Sequence, residues 1–234
     1  MDATPDRPAA ATEAGTVVVI GAGRLGRALT RRIPGRFPLV ALARSAPEGA
    51  TLGRAAVQPL AEGSLVRGSA AVLLAVPPGA IMELVQLIQP HLQESTLVVD
   101  MATESSTAAV RRQFPDLPLV AVKVVGQAGA IADGAPAVVV IDHATPEQYK
   151  QLTELFEPFG MVLEGSEELV RSTNSVVARE IVAAERAIRT QLTGLGLPDE
   201  ATDIAISSMA AGILRALSTG DIGPFLRRFV EAST

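Results

Sequence analysis

Short runs of apolar, mostly β-branched residues recur along the first two thirds of the chain, with stretches of helical periodicity between them. Most of these runs are apolar throughout, as in strands that are buried on both faces of a parallel sheet. The stretch 145–159 opens with Thr145, Pro146 and Gln148, which is typical of a helix capping box. The alternation predicts an α/β fold built on a Rossmann doubly wound sheet. The predicted strands are residues 16–20, 38–43, 70–76, 96–100, 119–125, 137–142 and 161–164, and the clearest helices between them are 79–92 and 145–159.

After residue 165 all of the periodicity is helical. One amphipathic stretch covers 167–193, a second runs from 199 to 219, and a short third is predicted for 221–230. Helices without a sheet form no independent core, so they must pack on the sheet domain or on a second subunit, and their apolar extent favours a homodimer. The predicted organisation is a disordered tail (1–14), a Rossmann domain (15–165) and an all-helical dimerisation segment (166–234). Residues 47–68, rich in Ala, Gly and Pro, receive no firm assignment.

Composition narrows the possible functions. The chain has no cysteine, which excludes disulfides, thiolate catalysis and cysteine-ligated metals, and with only two histidines no metal site is predicted. Aromatic residues make up 3% and the formal net charge is −5, the opposite of what a nucleic-acid-binding surface needs. No apolar run approaches the roughly 20 residues that span a bilayer, and the first residues lack the apolar core of a signal peptide. We expect no nucleic-acid or membrane partner and a cytoplasmic location.

A glycine-rich turn follows the first predicted strand and opens the next helix. In the dinucleotide-binding fingerprint, the first glycine permits a tight turn, the second lets the backbone approach a pyrophosphate, and the third allows close helix–strand packing. The helix N-terminus then offers free N–H groups and a partial positive charge to the diphosphate. A glycine turn without a ligand is the alternative, and the arginine of the motif either follows the diphosphate or faces solvent. The predicted cofactor-binding loop comprises Gly21, Ala22, Gly23, Arg24, Leu25 and Gly26.

The end of the second predicted strand indicates which dinucleotide binds. An NAD site usually places Asp or Glu there to hold the ribose 2′-hydroxyl, whereas this strand leads into Arg44 and Ser45. A guanidinium and a hydroxyl suit the 2′-phosphate of NADP(H), unless Arg44 is simply solvated. The loop formed by Ala75, Val76 and Pro77 closes another strand at the same edge of the sheet and is expected to touch the ribose or the nicotinamide. NADP(H) is therefore the predicted cofactor.

Four segments resemble the pyrroline-5-carboxylate reductase family: G-A-G-R-L-G at 21–26, A-R-S at 43–45, L-L-A-V-P-P at 73–78, and P-L-V-A-V-K-V-V-G at 118–126. The resemblance extends over nearly the whole chain. It implies an NADPH-dependent reductase of a cyclic imine, whose helical tail interlocks two subunits and lines the active site, and it matches Arg44 and Ser45 to the contacts of the 2′-phosphate. The family has a loop with Gly, Pro and Tyr where this chain has residues 172–178, which contain none of the three. We therefore expect a small imine substrate other than the precursor of proline.

Four polar residues are candidates for catalysis: Lys123, Thr173, Asn174 and Ser175. Lys123, near the carboxyl end of a predicted strand, is expected to pair with a substrate carboxylate or to donate a proton if desolvation lowers its pKa. A salt bridge at a domain seam is the alternative. The other three lie near the predicted start of the long helix, whose free N–H groups favour an anionic group, with ordinary helix capping as the alternative. Asp100 either orients a substrate amine or caps the following helix.

Two other functions stay open at this point. The Rossmann half, with V-K-V-V-G at 122–126, also resembles enzymes that exchange hydride between NADP and a deazaflavin coenzyme. Such an enzyme would need a wide groove for a flat tricyclic ligand. Because no acid–base histidine is placed near the cofactor and the family's substrate loop is altered, the chain could instead be an NADP-binding sensor or scaffold without turnover. Consumption of NADPH with an imine would exclude this last possibility.

Overall fold

The computed structural model describes residues 15–47, 49–60 and 63–232, and the predicted disordered tail, residues 1–14, lies outside these ranges. The chain divides into two units, Met1–Asn174 and Ser175–Thr234. The predicted boundary lies earlier, after residue 165, because the sequence pattern does not show that the first turns of the long helix belong with the sheet. Asn174 Nδ2 donates to the carbonyl oxygen of Val124 at 3.0 Å. This bond ties that part of the helix to the first unit.

The described residues of the first unit form one sheet with helices on both faces. Its strands are β1 (Val17–Ile20), β2 (Leu39–Ala43), β3 (Thr51–Leu52), β4 (Ala55–Pro59), β5 (Ala71–Leu74), β6 (Leu97–Asp100), β7 (Leu119–Val125), β8 (Ala137–Asp142) and β9 (Gly160–Glu164). Their order is β3-β4-β2-β1-β5-β6-β7-β8-β9. Neighbours are parallel except for the pairs β3–β4 and β7–β8. The helices are α1 (Arg24–Arg32), α2 (Ile81–Ile88), α3 (Thr107–Gln113), α4 (Ala128–Ala132), α5 (Pro146–Phe156) and the start of α6 (Glu167–Gly194).

The predicted Rossmann α/β fold is confirmed, and each predicted run contains a strand. The predicted capping box is also present, because Thr145 Oγ1 accepts from Gln148 N at 3.3 Å and Gln148 Oε1 accepts from Thr145 N at 2.9 Å. Two features differ from the prediction. Strands β3 and β4 lie within residues 47–68, which received no assignment, and β8 runs antiparallel to β7. An apolar run predicts a strand but carries no information about its direction.

Alternate side chains of the central strands pack into two separate cores. Val17 and Val19 of β1 face the layer that contains residues of α1, α4 and α5, whereas Val18 and Ile20 face the layer that contains α2 and α3. The period-two alternation of a strand sends successive side chains to opposite faces, so an entirely apolar strand requires helices on both sides. This arrangement brings the carboxyl ends of β1, β2 and β5 to one edge of the sheet, where parallel sheets bind ligands.

The described residues of the second unit are helical apart from the short connections between the helices. They continue α6 from Ser175 and then form α7 (Asp199–Ala205), a π-helical stretch (Ile206–Ala210), α8 (Ala211–Thr219) and α9 (Pro224–Ala232). The predicted helical C-terminal segment is therefore confirmed. Within the described ranges, no helix has the length and apolarity needed to cross a membrane.

Candidate cofactor and catalytic site

Three glycines shape the loop between β1 and α1, and each meets a different constraint. Gly21 has a φ of 123°, and a Cβ there would lie 2.2 Å from the carbonyl oxygen of Ala75. A Cβ at Gly26 would lie 1.8 Å from the carbonyl oxygen of Gly21, so this glycine lets α1 pack against the loop. Gly23 differs from both, because no neighbouring group lies within 4 Å of an added Cβ. The space in front of Gly23 is therefore open to a ligand.

The N-terminus of α1 is free to bind an anion. Gly23 is the N-cap residue and supplies no side-chain hydrogen bond, and the first turn of α1 carries no acidic residue. The unpaired N–H groups and the positive end of the helix dipole at such a terminus attract a phosphate. The residues of this loop thus fit the diphosphate of a dinucleotide.

A cleft of about 700 Å³ opens beside the glycine loop. Its walls come from the ends of β1 and β2, the loop after β5 and one face of α2. Most of the predicted cofactor residues line it: Gly21, Ala22, Gly23, Arg44, Ser45, Ala75, Val76 and Pro77. The other three do not: Arg24 is exposed outside the cleft, Leu25 packs against the core and Gly26 is buried behind the loop.

Arg44 and Ser45 are exposed at the end of β2, where the cleft begins. Within the described parts of the chain, Arg44 has no carboxylate partner among the ion pairs. An unneutralised guanidinium beside a hydroxyl can donate several hydrogen bonds to a phosphate. This is the position that the sequence predicted for the 2′-phosphate of NADP(H).

Lys123 is enclosed by protein and does not line the cleft. Its side chain is 0% exposed, and Nζ lies 2.7 Å from the carbonyl oxygen of Ala102, 3.0 Å from Asp100 Oδ2 and 3.1 Å from Ser105 Oγ. The carboxylate of Glu167 is 3.8 Å away. This geometry is that of the salt-bridge alternative, with Asp100 as the partner. The catalytic role of Lys123 stays a prediction.

Asp100 links the loop after β6 to β7. In addition to Lys123, its carboxylate accepts hydrogen bonds from the hydroxyl of Ser105, from Thr107 Oγ1 at 2.8 Å and from a backbone N–H of the same loop at 3.0 Å. The N-cap of α3 is Ser106 and not Asp100. Asp100 therefore organises the loop at 101–106 instead of capping the helix that follows.

The surroundings of Lys123 shift the pKa of its amino group in opposite directions. Burial lowers the pKa of the Lys123 amino group below its ordinary value of 10.5, whereas the carboxylates of Asp100 and Glu167 raise it. Arg171 lowers this pKa further. A buried charge needs such a partner, because its removal from water is costly. The cluster thus fixes the relative positions of β6, β7 and the start of α6.

Thr173, Asn174 and Ser175 lie inside α6 and not at its start, because the helix begins at Glu167. Their backbone N–H groups are thus not the free terminal donors that the sequence predicted for an anionic substrate. The actual start of the helix is bound by the protein itself, since Asp142 Oδ2 accepts from the backbone N–H of Glu167 at 2.9 Å. The Asn174 side chain is partly buried, Thr173 is half-buried and Ser175 is exposed. The catalytic roles of these three residues stay predictions.

The sequence reasoning missed one wall of the cleft. Four residues of α2 and of the loop after β4 line it, and three of them are leucines: Leu60, Glu83, Leu84 and Leu87. The helical periodicity of 79–92 predicted a helix but did not place it beside the cofactor. A helix that follows a strand-end loop at the carboxyl edge necessarily runs beside the ligand crevice. That topological signal was present in the sequence.

Residues 16–104, which make up less than half of the chain, match the model of the family described as NADP oxidoreductase coenzyme F420-dependent. No curated protein matches the sequence. The fold is similar to that of pyrroline carboxylate reductase from Plasmodium falciparum, solved with NADP bound, with a TM-score of 0.66 and 13% identity over 95% of this chain and 85% of that one. Pyrroline-5-carboxylate reductase from Coxiella burnetii gives a TM-score of 0.68 and 16% identity over 92% and 84%. An imine reductase variant from Myxococcus stipitatus, solved with NAD+, gives 0.53 and 15% over 88% and 77%.

These similarities confirm the predicted resemblance at the level of the fold. NADP(H), predicted from the end of β2, is confirmed as the cofactor of the matching family. Over residues 16–104 the chain is thus similar to the NADP oxidoreductases of that family, and its fold is similar to that of the pyrroline-5-carboxylate reductases.

Proposed function

We propose that this protein is an NADPH-dependent reductase of a small imine, acting on a C=N bond. The observation that carries the proposal is the cleft beside the glycine loop. It offers open space at Gly23 for a diphosphate, and an unneutralised guanidinium at Arg44 for a 2′-phosphate. The similarity in fold to an imine reductase and to two pyrroline carboxylate reductases supports the choice of C=N chemistry.

Calorimetric titration with NADPH and NADH tests the cofactor part of the proposal. We expect NADPH to bind at least about tenfold more tightly, a difference of ~1.4 kcal/mol, because only NADPH carries the phosphate that Arg44 can bind. Arg44→Ala should remove most of this preference. Arg112→Ala, an exposed arginine on α3 outside the cleft, is the matched control and should retain it. Equal affinities of the intact protein for the two nucleotides would reject this part.

A screen of cyclic and acyclic imines, followed by the loss of NADPH absorbance, tests the reductase part. NADPH supplies the hydride when it is bound. The residues of this chain must hold the substrate beside the loop at 75–77, and we propose Thr173, Asn174 and Ser175 as its polar contacts. Lys123 positions the loop at 101–106, and its contact with the substrate stays a prediction. Tight NADPH binding without turnover of any imine would favour the sensor interpretation.

Thr173→Val provides a test at the level of single residues. This exchange removes a hydroxyl and preserves the shape of the half-buried side chain. We expect a lower turnover number and nearly unchanged NADPH affinity, because Thr173 does not line the cofactor cleft. Unchanged turnover would remove Thr173 from the proposed site.

A second candidate function is hydride exchange between NADP and coenzyme F420. The family match over residues 16–104 favours it specifically, because the family is described as coenzyme F420-dependent. Mixing the protein with NADPH and oxidised F420 and recording both absorbance bands distinguishes the two candidates. Rapid reduction of F420 without any turnover of imines would replace the first proposal with the second.

We also propose that the second unit forms a homodimer. Its helices leave an apolar groove of about 570 Å³ that includes Ile181, Ile188, Met209 and Leu214. Leu214 is 49% exposed, and a face of this kind is typical of a permanent interface. Light scattering should give twice the 24.2 kDa of one chain. Leu214→Glu should give the single-chain mass, and a wild-type protein of single-chain mass at micromolar concentration would contradict the proposal.

A further inference from the structure

The wall of the cleft formed by α2 carries one acidic side chain. Ala80, Glu83, Leu84 and Leu87 succeed one another at helical spacing along this wall. Glu83 is exposed and, within the described parts of the chain, makes no ion pair with Arg44 or with any other cation. Its carboxylate is therefore available to a ligand in the cleft.

The position of Glu83 along the cleft follows from the contacts of α2. The carbonyl oxygen of Leu87 would lie 2.6 Å from a Cβ at Gly63, so this part of α2 runs against the segment that follows β4. Leu60 ends that strand region and lines the cleft together with Arg44. Glu83 precedes Leu87 by one turn of α2 and therefore lies on the same helix face, beside the leucines that line this end of the cleft.

The chemistry of this end of the cleft matches a purine base. Leucine side chains from α2 and from the loop after β4 offer apolar surface to the faces of a flat ring. A carboxylate only accepts hydrogen bonds, so it selects a ring whose edge carries a donor. Among the parts of a dinucleotide, the 6-amino group of adenine is such a donor, whereas the phosphates would be repelled by Glu83.

We propose that Glu83 determines specificity for the base by accepting a hydrogen bond from the 6-amino group of adenine. This assignment rests on the proposed NADPH site and adds to it a residue that recognises the base. Hypoxanthine places a carbonyl oxygen where adenine has the amino group, and that oxygen would face the Glu83 carboxylate. A carboxylate that faces a carbonyl oxygen loses its hydrogen bond, so the altered ligand binds more weakly.

Calorimetry with NADPH and its hypoxanthine analogue, the deaminated dinucleotide phosphate, tests the assignment. The wild-type protein should bind NADPH at least about tenfold more tightly than the analogue, as a hydrogen bond to a charged group implies. In Glu83→Gln the preference should fall below about threefold, because the side-chain amide can accept from adenine or donate to hypoxanthine. Glu94→Gln, an exposed acid outside the cleft, is the matched control and should keep the wild-type ratio.

The ratio of the two affinities distinguishes recognition of the base by Glu83 from a structural role of Glu83. Glu83 also lies in the first turn of α2, where a negative charge stabilises the helix dipole. Loss of that effect would weaken the binding of both nucleotides equally and leave the ratio of their affinities unchanged. A wild-type ratio near one, or an unchanged ratio in Glu83→Gln, would overturn the assignment while the NADPH site stands. Absence of NADPH binding to the wild-type protein would overturn both.

Discussion

Lys123→Met tests whether the buried ion pair holds the first unit together. The exchange removes the charge at similar side-chain length and leaves the Asp100 carboxylate, 0% exposed, without its cation at 3.0 Å. Removing one partner of a buried pair costs about 3–5 kcal/mol, because the other charge stays in a medium of low polarity. At roughly 2–4 °C per kcal/mol for a chain of this size, the Tm should fall by about 6–20 °C.

Thermal unfolding followed by circular dichroism measures the effect. Lys150→Met is the matched control: this exposed lysine of α5 is the chain's other lysine, and its loss should change stability by no more than about 0.5 kcal/mol. The double variant Lys123→Met/Asp100→Asn also removes the fully buried charge of Asp100, so it should lose clearly less stability than Lys123→Met alone. A cost below about 1 kcal/mol for Lys123→Met, or a double variant as unstable as the single one, would refute the reasoning.

Further predictions concern the glycine loop and the environment of Lys123. Gly23→Ala should weaken NADPH binding in calorimetry at an unchanged Tm, whereas Gly26→Ala should lower both, because its Cβ would meet the carbonyl oxygen of Gly21. Equal Tm values for the two variants would contradict this difference. An amine-reactive reagent should modify Lys150 in the folded protein and leave Lys123 unmodified, because Lys123 is buried. Mass spectrometry of the digest measures this, and modification of Lys123 would contradict its burial. Because burial lowers the pKa of Lys123 below 10.5, its contribution to stability is present above 10.5 and is lost as the pH falls through the lowered value. The free energy of urea unfolding of the wild type minus that of Lys123→Met should therefore increase as the pH rises toward 10.5, and a decrease would refute the direction of the shift.

The parts of the fold that local pattern determines were predictable from the sequence. The apolar runs indicated the strands that helices cover on both faces, and Thr145 with Gln148 indicated the start of α5, because each signal depends on residues close in the chain. The direction of β8 was not predictable, since the same apolar run fits either orientation. Strands β3 and β4 were missed because a strand of two residues and its short partner at the sheet edge give too little alternation.

The candidate site shows the same division between local and distant signals. Most of the cofactor loop follows from glycine spacing within one turn, and its geometry agrees with the predicted function of each glycine. The surroundings of Lys123 depend on Asp100, Ser105 and Glu167, which come from three separate elements. Asp100 and Lys123 come together through the strand register, in which Asp100 pairs with Ala121. No local sequence pattern predicts this register. Lys123 was therefore predicted at an open edge although it is closed in.

The two outer glycines of the loop are required by the backbone itself, because a side chain at either would strike a carbonyl oxygen of the protein. A descendant of this chain that had lost all affinity for nucleotides would still have to keep Gly21 and Gly26 in order to fold. Only the middle glycine, Gly23, is free of such a demand. Of the three glycines in the fingerprint, two are therefore required by the fold, and one is required only by the bound dinucleotide. A relative with the outer pair intact and a bulky residue at the middle position would be the mark of a Rossmann fold that no longer carries a dinucleotide.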